Sequence, residues 1–350
     1  MSETFEKTNI LVVGGAGFVG SNLVLKLLEQ NPSRILIVDN LLSSDRCNVV
    51  DDARVTFIEG SITDDAILKN LPENLDYAFH LSCYHGNQSS IADPMADHEN
   101  NTLTSLKLFE RLKDLKQLKK VVYAAAACAV AEKTYDTPSA TTEEQPVTLY
   151  HDSPYSISKL VGELYGNYYW MRHQLPFVKA RFSNVYGPRE ILGSGRWRGT
   201  IHTVWRNVIP TFIWRSLNGE ALPLDNGGNA SRDFIFVEDM ARGLMACALK
   251  GQPGGIYNLA TGKETTILQL ATLINQLTGN KTPPDLKPAR DWDRSGKRFA
   301  STEKSERELG FTAQIDIEEG LRRTVEWTRM HRDDIARCIT QHEQRIKQAA

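Results

Sequence analysis

The chain is short of several things. No stretch reaches 18 uninterrupted apolar residues, so no membrane-spanning helix is expected. Neither charge sign is in excess: 41 Lys and Arg against 43 Asp and Glu leave a formal net charge of −2. There is thus no basic field to hold nucleic acid or an anionic membrane as a main partner. An anionic small substrate needs only a few local arginines. The five cysteines (Cys47, Cys83, Cys128, Cys247, Cys338) are odd in number, scattered and never spaced CxxC. That argues against a disulfide framework or structural zinc and for a reducing compartment. The N-terminal MSETFEKTN is polar and lacks the apolar core of a signal peptide. A cytoplasmic protein of enzyme size is the expectation.

What is present is 350 residues, 41% hydrophobic, enough for about two domains. Short, nearly continuous apolar runs (Asn9–Val13, Arg34–Val38, Val55–Ile58, Tyr77–Leu81, Lys120–Ala125, Phe177–Arg181) alternate with helical stretches near 17–30, 64–71, 101–115 and 155–171. That pattern predicts a parallel sheet covered on both faces, an α/β doubly wound fold of Rossmann type. After Pro188 the pattern changes. Residues 189–205 carry Gly193, Gly195 and Gly199 among charged and aromatic residues and read as a long functional loop. Phe234–Val237 and Gly255–Leu259 read as a return to the first domain, and helices resume at 266–278 and 317–331. The expected division is residues 1–188 plus about 233–262 as a dinucleotide-binding domain and 189–232 plus about 263–330 as a smaller α/β substrate domain. The polar 331–350 reads as a solvated helix or frayed tail.

The first strand runs into Gly14, Gly17 and Gly20, spaced GxxGxxG, and then into a helix. Such a turn needs positive φ and close backbone approach, and the helix start offers free N–H groups and a positive dipole end to a pyrophosphate. Asp39, 19 residues past Gly20 at the end of the second strand, can accept both ribose hydroxyls and would repel a 2′-phosphate. The expected cofactor is therefore NAD. Tyr155 and Lys159, at i and i+4 after the helix start Asp152-Ser153-Pro154, share one helical face. An ammonium beside a phenol favours the phenolate, which can take a proton from a sugar hydroxyl as hydride leaves.

With these motifs the chain resembles the extended short-chain dehydrogenase/reductases, in their nucleotide-sugar epimerase and dehydratase branch. The resemblance spans roughly residues 8 to 330. Its marks are the glycine turn, YSISK at 155–159, RFSNVYGP at 181–188, SRDFIFVED at 231–239, YNLATG at 257–262 and RDWD at 290–293. It implies that Phe18, Val19, Asn40, Ser61, Ile62, Leu81 and Ser82 join the glycines and Asp39 around NAD. It implies that Asn184 contacts the nucleotide sugar, that Val208 to Phe212 hold the base, and that Arg232 and Arg290 clamp the pyrophosphate. Asn101 would orient the region of Tyr155. A homodimer through a four-helix interface, using the Tyr-Lys helix and residues 101–115, is implied as well.

The chain departs from the pattern after its fifth strand. Where the family usually has Ser or Thr to bond the reacting sugar oxygen, this sequence has Ala126 in an alanine run. Three readings stay open: water or another side chain substitutes, the enzyme is slow or specialised, or the alanine was introduced by mutagenesis. Ala127-Cys128 supplies neither carboxylate of the 4,6-dehydratases. Cys128 resembles instead the proton-exchanging cysteine of the sugar 3,5-epimerases, with a small buried hydrophobe as the alternative. Arg198, in a loop with a faint likeness to a lysine-bearing loop of those epimerases, faces the sugar or is a solvated arginine. His85 and His151 read as capping or surface histidines. The leading expectation is a UDP-sugar 4-epimerase passing through a transient 4-keto sugar, in carbohydrate biosynthesis. The alternatives are UDP-glucuronate decarboxylation, dehydration or C3/C5 epimerisation using Cys128, and a catalytically impaired NAD- and nucleotide-sugar-binding protein.

Overall fold

The computed structural model describes residues 4–127, 134, 136–289 and 296–349. Seven strands form one parallel sheet: β1 (Asn9–Val13), β2 (Arg34–Asp39), β3 (Val55–Glu59), β4 (Tyr77–His80), β5 (Lys120–Ala126), β6 (Phe177–Phe182) and β7 (Ile256–Leu259), in the order β7-β6-β5-β4-β1-β2-β3. The order reverses between β1 and β4, which opens a crevice at the strands' carboxyl ends where open α/β sheets bind ligands.

The sheet reads as uninterrupted apolar sequence because both its faces are covered. Ile10 and Val12 point to one side, into a core with Leu23, Val24 and Leu27 of α1 (Phe18–Leu28). Leu11 and Val13 point to the other, into a core with Leu108 and Phe109 of α2 (Thr104–Leu112) and Tyr169 of α3 (Pro154–His173). Each such side chain contributes about 1.5–3 kcal/mol by leaving water. A third cluster lies beyond the crevice, among α4 (Val208–Leu217), α6 (Ile267–Thr278) and α7 (Ile317–Met330).

Two details differ from the expectation. Phe234–Phe236 is a strand and pairs with Asn184–Tyr186, outside the large sheet. Val237 is not strand but opens α5 (Val237–Lys250), whose buried Val237, Met240, Ala241, Leu244, Cys247 and Ala248 repeat at helical spacing. The later segment, β7, pairs with β6 in the large sheet. The tail is helical, as one reading had it, but one face of it is covered: α8 (Arg332–Thr340) and α9 (Glu343–Ala349) follow α7, and Ile335, Cys338 and His342 are buried. Among the described residues no helix is long and apolar enough to cross a membrane.

Candidate active site

The crevice is a cavity of about 660 Å³. At one end lies the glycine turn. Gly14 has φ +86°, and a Cβ there would sit 2.5 Å from Ser82 N. At Gly20 a Cβ would sit 2.1 Å from Gly14 O, so this position is held by close packing and not by φ. Gly17 is extended and serves as N-cap of α1, whose first turn carries no acidic residue. The exposed N–H groups and dipole end are thus left to an anion.

Asp39, at the end of β2, accepts from Ala16 N (3.0 Å), Leu41 N and Ser44 Oγ (both 2.9 Å). Burial pushes its carboxyl above the ordinary value and these bonds oppose the push. Phe18, Val19, Asn40, Ser61, Ile62, Leu81 and Ser82 complete this end of the wall. A turn closed to side chains, a free helix start and an acceptor-only carboxylate fit a dinucleotide.

In the middle, α3 begins where Ser153 Oγ accepts from Ser156 N and Pro154 occupies the first turn. This start sets Tyr155 and Lys159 against the end of β5. Lys159 Nζ donates to Ala124 O at 3.0 Å and lies 6.0 Å from the centre of the Tyr155 ring. Asn101, in a π-helical turn (His98–Leu103) ahead of α2, bonds three elements. It accepts from Tyr84 N (2.7 Å) and donates to Asp97 Oδ1 (2.7 Å) and to Ser158 Oγ of α3 (3.2 Å). His80 beside it is held neutral, its pKa driven down to about 3 by burial and then by the charge of Lys159. Ala126 ends β5 on the cavity wall and offers only a methyl group.

The far end holds Asn184, Val208, Phe212 and Arg232. Arg232 Nη1 is held by Ser231 O (2.7 Å) and Gly296 O (2.6 Å). Ser231–Arg232 pairs antiparallel with Thr265–Thr266, and Asp233 next to it accepts from Thr261 N, Thr261 Oγ1 and Gly262 N. Val208 to Phe212 form the opening of α4.

Of the expected site residues, Cys128 and Arg290 lie outside the described residues. Arg198 is off the cavity wall. Gly195, at φ +87°, folds the loop onto Leu42, where a Cβ would sit 2.3 Å from Leu42 O. Arg198 is thereby tucked behind Ser43, with Nη1 donating to Ser43 Oγ at 2.6 Å and Nε and Nη2 buried without partners. Burial, then the charge of Arg206, lowers its pKa to about 9. His85 is no surface residue; it lines the cavity, as do Arg189 and Glu190 of the loop read as functional and Arg206, Asn207 and Arg215, which were not named from the sequence. The sequence sign of the last three was their place just after the glycine-rich loop.

A model of the NAD-dependent epimerase/dehydratase family matches residues 10–260. The chain belongs to this family. Within it, the chain is 58% identical to the Bordetella bronchiseptica enzyme WbmF in a crystal structure with NAD+ and UDP, covering 98% of this chain and 99% of that one with a TM-score of 0.89. The same enzyme is known with NADH, at 57% identity and a TM-score of 0.90. A putative UDP-glucose 4-epimerase of Methanocaldococcus jannaschii is 30% identical over 326 residues, 91% of this chain and 97% of the relative. The dTDP-D-glucose 4,6-dehydratase of Bos taurus is 27% identical over 344 residues, 93% of this chain and 90% of the relative. As a member of the epimerase/dehydratase family, the protein is an NAD-dependent enzyme of nucleotide-sugar chemistry.

Proposed function

We propose that the chain is a UDP-sugar 4-epimerase acting through a transient 4-keto sugar. The observation that carries the reading is the Tyr155–Lys159 pair in the middle of one cavity, with the glycine turn and Asp39 at one end and Arg232 at the other. Bound NAD supplies the acceptor and donor of hydride. Tyr155 takes the proton of the 4-hydroxyl and returns it after the ring has turned. Lys159, anchored on Ala124 O, holds positive charge beside the phenol and stabilises its ionised form. Asn101 positions this machinery through Ser158. Arg232 holds the pyrophosphate by its planar fork, with Arg290 as a second clamp, and Asn184 contacts the sugar or phosphate. The first turn of α4 holds the base. Two copies assemble through α3.

The UDP complex of WbmF supports the choice of nucleotide. Ala127 on the wall, where the dehydratases resemble each other in a carboxylate, counts against elimination of water. Ala126 favours a second reading, a binding protein impaired in catalysis. Incubation with a panel of UDP-, GDP- and dTDP-sugars, followed by NMR of the products, separates these. The proposal expects the C4 epimer of a UDP-sugar. Loss of carbon dioxide or water, or solvent deuterium at C3 or C5, would replace it with one of the other 4-keto reactions. Tight UDP-sugar binding with no NADH absorbance at any time would leave the impaired binding protein.

A further inference from the structure

The polar groups not used by that mechanism gather around His85. Its ring meets the Tyr155 ring edge to face, with centroids 5.9 Å apart, and both line the cavity. His85 Nε2 lies 3.1 Å from Asn207 Oδ1, and Asn207 Nδ2 donates to Glu190 Oε1. The direction of this chain selects the tautomer. Since the amide NH2 of Asn207 is engaged by the carboxyl oxygen of Glu190, its amide oxygen faces the imidazole, and only an N–H satisfies it. Nε2 therefore carries the hydrogen, and Nδ1 keeps a lone pair with no protein partner among the described residues. Burial holds the ring neutral: its pKa is drawn down to about 4, with Arg206, Arg198 and Lys159 adding to the effect and the Asn207 bond opposing it. The anchor is firm, since Glu190 is only 6% exposed.

A neutral imidazole set this way is an acceptor and not a donor. We propose that His85 is a specificity-determining residue whose Nδ1 requires a hydrogen-bond donor on the sugar on the side of the carbon Tyr155 acts on, either on the adjacent C3 or on the exocyclic C6 beyond C5. The proposal rests on the reading of Tyr155 as the base at C4. It also fits Ala126, because a site without the usual hydroxyl has one contact fewer to hold the ring and relies more on its neighbours. A sugar lacking that donor would leave a desolvated acceptor unpaired.

The test compares the preferred UDP-sugar with its 3-deoxy and 6-deoxy analogues, in turnover and in calorimetric binding to the NAD-loaded protein. It uses the wild type, His85→Phe and His85→Gln. The wild type is expected to bind one analogue about ten-fold or more weakly than the parent. His85→Phe keeps a ring against Tyr155 and should reduce that preference to within about three-fold, while His85→Gln, which still has an acceptor, should retain part of it. Equal binding of both analogues by the wild type overturns the proposal, as does an undiminished preference in His85→Phe. NAD binding by each variant checks its fold. If no UDP-sugar is turned over, the 4-keto reading fails, and the binding comparison still decides the role of His85.

Discussion

Single atoms decide much of this site. A Cβ at Gly20 would fall 2.1 Å from Gly14 O, a backbone atom that cannot swing aside, whereas at Gly17 the nearest atom is 3.1 Å away. Gly20→Ala should therefore abolish copurified NAD and lower the melting temperature, and Gly17→Ala should weaken NAD binding with little change in melting. Absorbance of bound cofactor and a thermal melt check both, and equal effects of the two would contradict the packing argument. The glycines and Asp39 were legible in sequence because backbone geometry demands a residue type. His85, Asn207 and Glu190 were not, since 122 residues separate His85 from Asn207 and only the fold joins them. Arg198 misled for the opposite reason: a charged residue between glycines looks solvated, yet the positive-φ turns fold it inward.

Glu190 makes a residue-scale prediction of pH dependence. Burial raises its carboxyl from 4.5 to about 7, against the bond from Asn207 and the charge of Arg206. A raised carboxyl binds its proton more tightly folded than unfolded, so it costs nothing below about 4.5 and its full penalty is reached above about 7. The stability of the wild type relative to Glu190→Gln should fall between these values, by at most about 3 kcal/mol. Urea melts at pH 4.5, 6 and 8 measure this; parallel curves for the two proteins would refute it.

At the scale of elements, the strands were readable almost to the residue, because a strand buried on both faces has few choices but apolar ones. Past the crevice α6 and α7 were readable as well, but α4 and α5 were harder to see. α5 has helical periodicity, but its first residue, Val237, continues the apolar run Phe234–Phe236, so strand and helix blur there. α4 carries Pro210 two residues past its start, where proline is tolerated, and proline suggests extended chain to the eye. α8 and α9 look polar because only their inner face is covered. That face matters: Cys338 packs on Gly193, Gln341 Nε2 and His342 Nε2 bond Gly193 O at 2.7 and 3.0 Å, and Arg337 reaches both carboxylate oxygens of Asp45. The arm thus ties the loop bearing Glu190 and Arg206 to the loop that follows Asp39. Removing residues 332–350 should cost roughly 3–5 kcal/mol, mostly from Ile335 and Cys338, since the half-exposed Arg337–Asp45 pair adds about 1 kcal/mol or less. UDP should then bind about ten-fold more weakly by calorimetry. Gln341→Ala with His342→Ala, which keeps the apolar contacts, should show the binding loss with little of the instability; unchanged UDP affinity in both variants would rule out a role for the arm in ordering the site.

For the whole molecule, α3 is the element with too many faces. Its buried side, including Lys159, Gly162, Glu163 and Gly166, lies on the sheet, with Gly166 admitting the ring of Phe177 and Gly162 that of Tyr123. The opposite side exposes Ile157, Leu164, Tyr168 and Met171, at 49%, 58%, 52% and 77%. The steps of seven, four and three residues make one apolar stripe along the helix. A stripe of this length left in water is costly and marks a surface that binds another. With no charge excess to keep copies apart (net −2), the same stripe on a second chain is a self-complementary partner across a two-fold axis. The protein should therefore sediment at micromolar concentration at twice the 39.3 kDa chain mass. Leu164→Glu combined with Met171→Glu should bring it to the single-chain mass, by burying charges against each other in any dimer that formed. Because Tyr155 and Lys159 ride on the first turns of this helix, the monomer should also lose activity, by about ten-fold or more, while keeping the far-UV circular dichroism of the parent. A wild type that sediments as a single chain, or a double variant that remains a dimer, would place the assembly surface elsewhere than on α3.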